Sequence, residues 1–377
     1  MSFWRTLFKR TNAHPLDEKT HTEIEKIISS VYVDPYLGAD LVSANAIKSL
    51  SREGKQLKVS ISLSYPAATI QKSIINILEP ALSQLEGFDT VAIDVQSNIP
   101  AHKGQRAEAS RIKNIIAISS GKGGVGKSTT TVNLALALAA EGASVGILDA
   151  DLYGPSQPQL LGVPEGTHPQ TRDMRHYAPL NAHGLKLMSM GIMVTEDTPM
   201  MWRGPVASET IQQLINQTLW GDMDYLLIDM PPGTGDIHIT LAQTLAIAGA
   251  VVVTTPQDIA LLDAQKGVSM FNSVDVPVLG VIENMASHIC THCGHNEHIF
   301  GQHGGEKIAR ENHSELLGSL PLQRQIREQA DAGLPIVLAE PDGEIAKLYK
   351  EIALRMAVNV AQPGLITPLP KITFVDD

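Results

Sequence analysis

Residues 121 to 129 read Gly-Lys-Gly-Gly-Val-Gly-Lys-Ser-Thr, a combination suited to gripping phosphate. Gly121, Gly123, Gly124 and Gly126 let the backbone curl until successive N–H groups converge on one anion, and the start of a following helix adds partial positive charge. Val125 and Thr129 complete the loop. In such a loop Lys127 reaches the terminal phosphates and the Ser128 hydroxyl is a magnesium ligand. One lysine suffices to hold a nucleotide, so Lys122, directly after the first glycine, points to chemistry beyond cradling.

Three acids stand where a nucleotide would need them. Asp149 and Asp151 follow the apolar run Val145-Gly-Ile-Leu148, and Asp229 closes Tyr225-Leu-Leu-Ile. Carboxylates leaving strand ends face the ligand crevice of open α/β folds. Asp151 could orient an attacking water, while Asp149 and Asp229 support a magnesium shell. Turn or helix capping is the plain alternative for Asp149 and Asp151. Gly233, within Met230-Pro-Pro-Gly-Thr-Gly-Asp236, leaves room for a γ-phosphate, so this loop is expected to distinguish ATP from ADP.

The chain has two cysteines, Cys290 and Cys293, in Ser287-His-Ile-Cys-Thr-His-Cys-Gly-His-Asn-Glu-His298. Two residues between them let both thiolates face one metal from a tight turn, and Gly294 helps the chain fold back. Iron–sulfur clusters usually take four thiolates, so a two-fold dimer sharing one cluster is the simple solution. Zinc, with or without His292, His295 and His298, fits the same spacing, and a redox dithiol or inert cysteines remain open. The three histidines otherwise read as exposed turn residues.

The elements that must position these groups follow an α/β rhythm. Ile115 to Ile118 is a short β-branched run expected to form a buried parallel strand, and the apolar spacing from Val132 to Ala139 suits a helix packed on a sheet. Further strands are expected at Ala250–Val253 and Val278–Ile282, with helices around Leu261–Val274 and Glu344–Val358. Pro164 to Pro179 lacks periodicity and reads as a surface excursion near the nucleotide edge. Upstream, Ile24, Ile27, Ile28 and Val31 have helical spacing, Leu57 to Leu63 alternates as a half-buried strand, Ile70 to Leu82 is an amphipathic helix, and Val91 to Val95 is another strand. Asp34-Pro-Tyr-Leu-Gly-Ala-Asp40 interrupts them with turn chemistry.

Over roughly residues 108–360 the chain resembles the deviant Walker A ATPases, a group with partition, septum-site and nitrogenase-iron-protein branches. Asp151-Leu-Tyr-Gly-Pro-Ser156, the Met230–Asp236 loop and Glu283-Asn-Met285 ahead of the paired cysteines are similar to Mrp/ApbC-type iron–sulfur cluster carrier ATPases. The resemblance implies a P-loop NTPase fold with a mainly parallel sheet flanked by helices, whose strand order it supplies. It also implies a homodimer with slow ATP hydrolysis, Lys122 reaching the partner's nucleotide, and Asn284 contacting adenine. A buried amide serving the loop backbone is the alternative for Asn284. Cys290 and Cys293 would hold a cluster, most simply 4Fe-4S, shared by two subunits and passed from scaffold proteins to apo-proteins. Residues 18–98 resemble the MIP18-type domain, a small α+β unit. Its Tyr65-Pro-Ala-Ala68 carries no cysteine where many such domains have one, so docking or regulation is the implied role.

The expected division is an extension at 1–17, the small domain at 18–98, a Pro/Gly-punctuated linker at 99–108, the ATPase domain with its cysteine pair at 109–360, and a tail at 361–377. A formal charge of −11 argues against a general nucleic-acid binder. No apolar run is long enough to span a bilayer, and the acidic tail is no membrane-targeting helix. The first ten residues lack the apolar core and cleavage site of a targeting peptide. Two cysteines in 377 residues fit a reducing compartment, hence a cytoplasmic protein. A partition or positioning ATPase without a cluster, and a zinc-stabilised scaffold with weak ATPase activity, are the rival functions.

Overall fold

Runs of β-branched and aliphatic residues with no alternation demand burial on both faces, and the larger unit supplies it with helices on either side of one sheet. The computed structural model describes residues 14–102, 111–152, 154–172, 175–193, 204–290 and 292–362, with backbone alone at 204, 205 and 207. The chain divides between Ile99 and Pro100 into two compact units. Most of the expected linker, the first thirteen residues and the tail from 363 onward lie outside the described residues.

The sheet of the larger unit has eight strands in the order Leu316–Ser319, Val278–Glu283, Ile247–Thr254, Ile112–Ser119, Met223–Asp229, Val145–Asp149, Leu185–Ser189 and Leu180–Ala182. All neighbours are parallel except the last pair, which is antiparallel. Ile112–Ser119 lies inside the sheet. The chain next builds strands on one side of it and later returns to build on the other. That reversal opens a crevice at the carboxyl ends, where ligands of open α/β sheets bind.

The helix Lys127–Ala140 is buried along nearly all its length. Its Ala- and Thr-rich surface allows close approach to the sheet on one side and to the helix Glu344–Ala361 on the other. Segment 164–179 departs from the expected excursion at the nucleotide edge. It begins near that edge, where His168 Nδ1 lies 2.8 Å from the Ile192 carbonyl. It ends at the opposite edge, where Leu219 N–H donates to the Tyr177 carbonyl just ahead of the Met223–Asp229 strand. A short hairpin, Thr171–Arg172 with His176–Tyr177, gives it backbone partners that a bare excursion would lack.

In the smaller unit, helices Glu18–Val31 and Ala68–Leu82 pack with a four-stranded sheet that ends in the parallel pair Gln56–Leu63 and Thr90–Ser97. Leu57, Val59, Ile61 and Leu63 are all buried, as their alternation requires. The strand Ile47–Glu53, which the sequence reading left unassigned, pairs antiparallel with Gln56–Leu63 through a turn at Gly54. Asp34 is fully buried: one carboxylate oxygen accepts the N–H groups of Tyr36 and Leu37, and the other accepts the Tyr65 hydroxyl at 2.5 Å. The turn and the cysteine-free Tyr65 segment thus form one polar knot.

Candidate nucleotide and cluster site

The loop 121–126 rises from the Ile112–Ser119 strand and turns into the helix that begins at Lys127. Gly124 and Gly126 hold φ of +82° and +84°, which side chains resist. Gly121 is required by proximity, because a Cβ there would stand 2.2 Å from the Asp263 backbone on the helix Asp258–Ser273. Ser120 Oγ donates to the Lys122 carbonyl at 3.0 Å, and the Lys122 side chain is exposed.

Asp149 and Asp229 are register partners on adjacent strands, so two carboxylates meet at the crevice floor. Both are fully buried. Lys127 Nζ lies 2.5 Å from Asp229 Oδ1, and that oxygen also accepts from Thr131 Oγ1 at 3.2 Å. The pair is sealed from water, with the Lys127 side chain 6% exposed. Asp149 Oδ2 accepts from Ser156 N, Gln157 N and Ser189 Oγ, and Oδ1 from Asp151 N. Burial, and then the charge of Asp229, push the Asp149 carboxyl up to about 7. Asp149 therefore organises the loop that carries Asp151, with Oδ1 its less crowded oxygen. Asp151 is partly exposed at the start of that loop.

Two residues that the sequence reading passed over join this floor. Gln157 Nε2 donates to Asp229 Oδ2 at 2.9 Å and to the Ser128 carbonyl at 3.0 Å. His238 Nε2 lies 2.8 Å from the Pro231 carbonyl, so this nitrogen carries the proton, and burial lowers the ring's basicity. Neither belongs to a recognisable spacing pattern. Only the approach of separate loops brings them here.

Buried side-chain polar atoms without a hydrogen-bond partner gather at this edge. Among the described residues they include Ser119 Oγ, Ser156 Oγ, Gln157 Oε1, His238 Nδ1 and Thr255 Oγ1. Such atoms are rare in native interiors and mark a place built to receive polar groups. The oxygens among them, with the Ser128 hydroxyl and the Asp229 and Asp149 carboxylates, are hard donors of the kind magnesium takes. The residues present fit a magnesium nucleotide.

Asn284 connects the loop to the cysteines. Its Nδ2 donates to the Val125 carbonyl at 2.8 Å and its N–H donates to the Thr254 carbonyl. The side chain thus serves the loop backbone, with one amide hydrogen already committed. Met285 follows at φ +57°, Ala286 N–H donates to the Leu320 carbonyl, and the chain enters a hairpin of His288–Ile289 with Asn296–Glu297. At its tip Cys290 N–H donates to the His295 carbonyl, Gly294 N–H returns to the Cys290 carbonyl, and Gly294 has φ +71°. Cys293 is exposed and Cys290 partly so. Backbone N–H groups of Cys293 and His292 hold the Cys290 thiol below its usual range, favouring thiolate.

His298 is exposed as expected, and its Nδ1 lies 2.7 Å from the Ala286 carbonyl and braces the hairpin's base. His292 and His295 are exposed. Among the described residues no three His, Cys, Asp or Glu side chains converge as a metal set.

A glycine loop between a central parallel strand and a helix, with acids on the neighbouring strand ends, defines a P-loop NTPase. The fold agrees with the Pyrococcus furiosus cell division ATPase MinD, 22% identical, TM-score 0.50, covering 64% of this chain and 98% of that one. Residues 111–357 match the NUBPL iron-transfer P-loop NTPase family, and residues 21–95 match the iron-sulfur cluster assembly protein family. The chain belongs to the NUBPL iron-transfer P-loop NTPases. An iron-sulfur cluster carrier protein of Haemophilus influenzae is 45% identical over 92% of this chain and 94% of its own length. One of Pseudomonas fragi is 56% identical over 74% of this chain and 97% of its own. A nucleotide-binding protein of Archaeoglobus fulgidus, solved in complex with ADP, is 35% identical with TM-score 0.54, covering 62% of this chain and 90% of that one.

Proposed function

We propose that this protein is a cytoplasmic, ATP-dependent carrier that receives an iron–sulfur cluster from scaffold proteins, holds it between two copies of the chain, and delivers it to apo-proteins. The observation that carries the reading is the tether Val125–Asn284–Met285–Ala286, which joins the phosphate loop to a hairpin presenting two accessible thiols. Two thiolates per chain, with no group of three metal-ligating side chains among the described residues, favour a cluster completed by a second copy, most simply 4Fe-4S. Exposed Ile259, Leu262, Ile289 and Ile299 support an apolar face for that copy. Gly301 packs on Pro256 and Gly304 on Leu261, so the segment after the hairpin belongs to the same face as the helix Asp258–Ser273.

In this reading the loop 121–126 cradles ATP, Val125 and Thr129 hold its backbone shape, and Lys127 turns from Asp229 to the terminal phosphates. Ser128, Asp229 and Asp149 support magnesium, which neutralises phosphate charge when bound. Asp151 orients the attacking water, exposed Lys122 reaches the partner's nucleotide, and Asn284 reads adenine with its remaining polar atoms. Turnover is slow, and the loops after Asp149 and Asp229 convert nucleotide state into access to the cluster.

Anaerobic reconstitution with iron and sulfide tests this. The expected product is a brown dimer with about two iron atoms per chain, colourless in Cys290→Ala and Cys293→Ala. Retention of zinc alone, or a strict monomer with ATP, magnesium and iron–sulfide supplied, would refute the carrier reading.

A further inference from the structure

Gln157 is fully buried and touches three parts of the nucleotide floor at once. Its backbone N–H donates to Asp149 Oδ2 at 3.1 Å, and its Nε2 donates to Asp229 Oδ2 at 2.9 Å and to the Ser128 carbonyl at 3.0 Å. The amide's orientation is settled by chemistry. Both side-chain neighbours are acceptors, so the nitrogen must face them and Oε1 must face elsewhere. Oε1 is buried and, among the described residues, has no hydrogen-bond partner. An orphaned carbonyl of this kind costs stability unless something polar arrives.

What arrives must donate a hydrogen bond beside Asp229 and Ser128, the residues placed to hold magnesium. Nucleotide phosphates at neutral pH offer only acceptors. Water polarised by a divalent cation is a strong donor, and magnesium keeps several waters when it binds. We propose that Gln157 is a positioning residue for the magnesium shell: Oε1 accepts a hydrogen bond from a magnesium-bound water while Nε2 holds Asp229 in place. The inference rests on the nucleotide-binding part of the proposed function and does not depend on the cluster. It assigns to a residue outside the loop motif the preference for metal-loaded over metal-free nucleotide.

The test is the affinity of the full-length protein for a fluorescent ADP analogue, measured with excess magnesium and again with chelator. For Gln157→Leu, affinity without magnesium should stay within about twofold of wild type, and affinity with magnesium should fall about tenfold, the equivalent of one lost hydrogen bond. Gln157→Met keeps the length of the side chain but has neither the amide donor that faces Asp229 nor the carbonyl acceptor, so it should lose the magnesium preference as the leucine variant does. Equal weakening of Gln157→Leu under both conditions would mean a purely structural role and would overturn the proposal. An unchanged magnesium preference in that variant would overturn it too. A retained preference in Gln157→Met does the same, and decides the matter if the leucine variant fails to fold. A wild-type protein that binds no nucleotide in either condition would instead sink the ATP-dependent reading itself.

Discussion

Lys127 and Asp229 form an ion pair from which water is excluded, and removing one partner from such a pair strands a buried charge. Lys127→Ala is therefore expected to destabilise the nucleotide-free protein by about 3–5 kcal/mol. Urea denaturation of the two single variants and of Lys127→Ala/Asp229→Asn would measure it, with the double variant recovering much of the loss. Additive losses would show that the pair contributes nothing as a unit. Asp149 makes a second prediction. Its folded-state pKa is about 7 against an ordinary 3.8, so between these values the folded protein keeps a proton that the unfolded chain releases. Stability from this group is therefore greatest at the acid end of the window and falls as pH rises through it. Asp149→Asn removes the charge. Thermal unfolding without magnesium should show the variant nearest to wild type at about pH 4 and progressively further above it as pH rises to about 8, and parallel curves would contradict the assignment.

At the scale of elements, the loop is held from outside as much as by its own glycines. Gly121 lies against the backbone of the helix Asp258–Ser273, whereas a Cβ on Gly123 would meet nothing within 4 Å. Gly121→Ala is expected to weaken nucleotide binding about tenfold or more, since neither backbone can yield cheaply. Gly123→Ala should remain within about twofold of wild type in the same titration. Equal effects would mean that the helix does not shape the loop. The hairpin bearing the cysteines is built on the same logic. Asn284 ties its stem to the loop and His298 braces its base, while the tip is left accessible.

At the scale of the whole molecule, the NTPase family match, residues 111–357, falls entirely within the larger unit. Residues 100–377 of this chain alone are accordingly expected to bind nucleotide and a reconstituted cluster as the full chain does. Equilibrium binding and absorbance of that fragment check it, and loss of either would make the smaller unit part of the site. The smaller unit, with Asp34 and Tyr65 locked together inside it, offers no cysteine for metal.

Local chemistry fixed much of this molecule in advance. Glycines in a set order, acids after β-branched runs and a pair of cysteines two residues apart announce strand, loop, helix and thiolate turn, because each depends on neighbours within a few positions. Asp149 beside Asp229, Gln157 on Ser128, Asn284 on Val125 and the helix under Gly121 could not be read this way. Each joins residues from separate segments, and which segments meet is decided by strand order and by the packing of helices on the sheet. The same holds for segment 164–179, whose path to the far edge ends where the Leu219 N–H donates to the Tyr177 carbonyl. A side chain's type can be read from the chain, but its burial, its partners and the level of its pKa exist only once distant strands have brought low-dielectric surroundings to it.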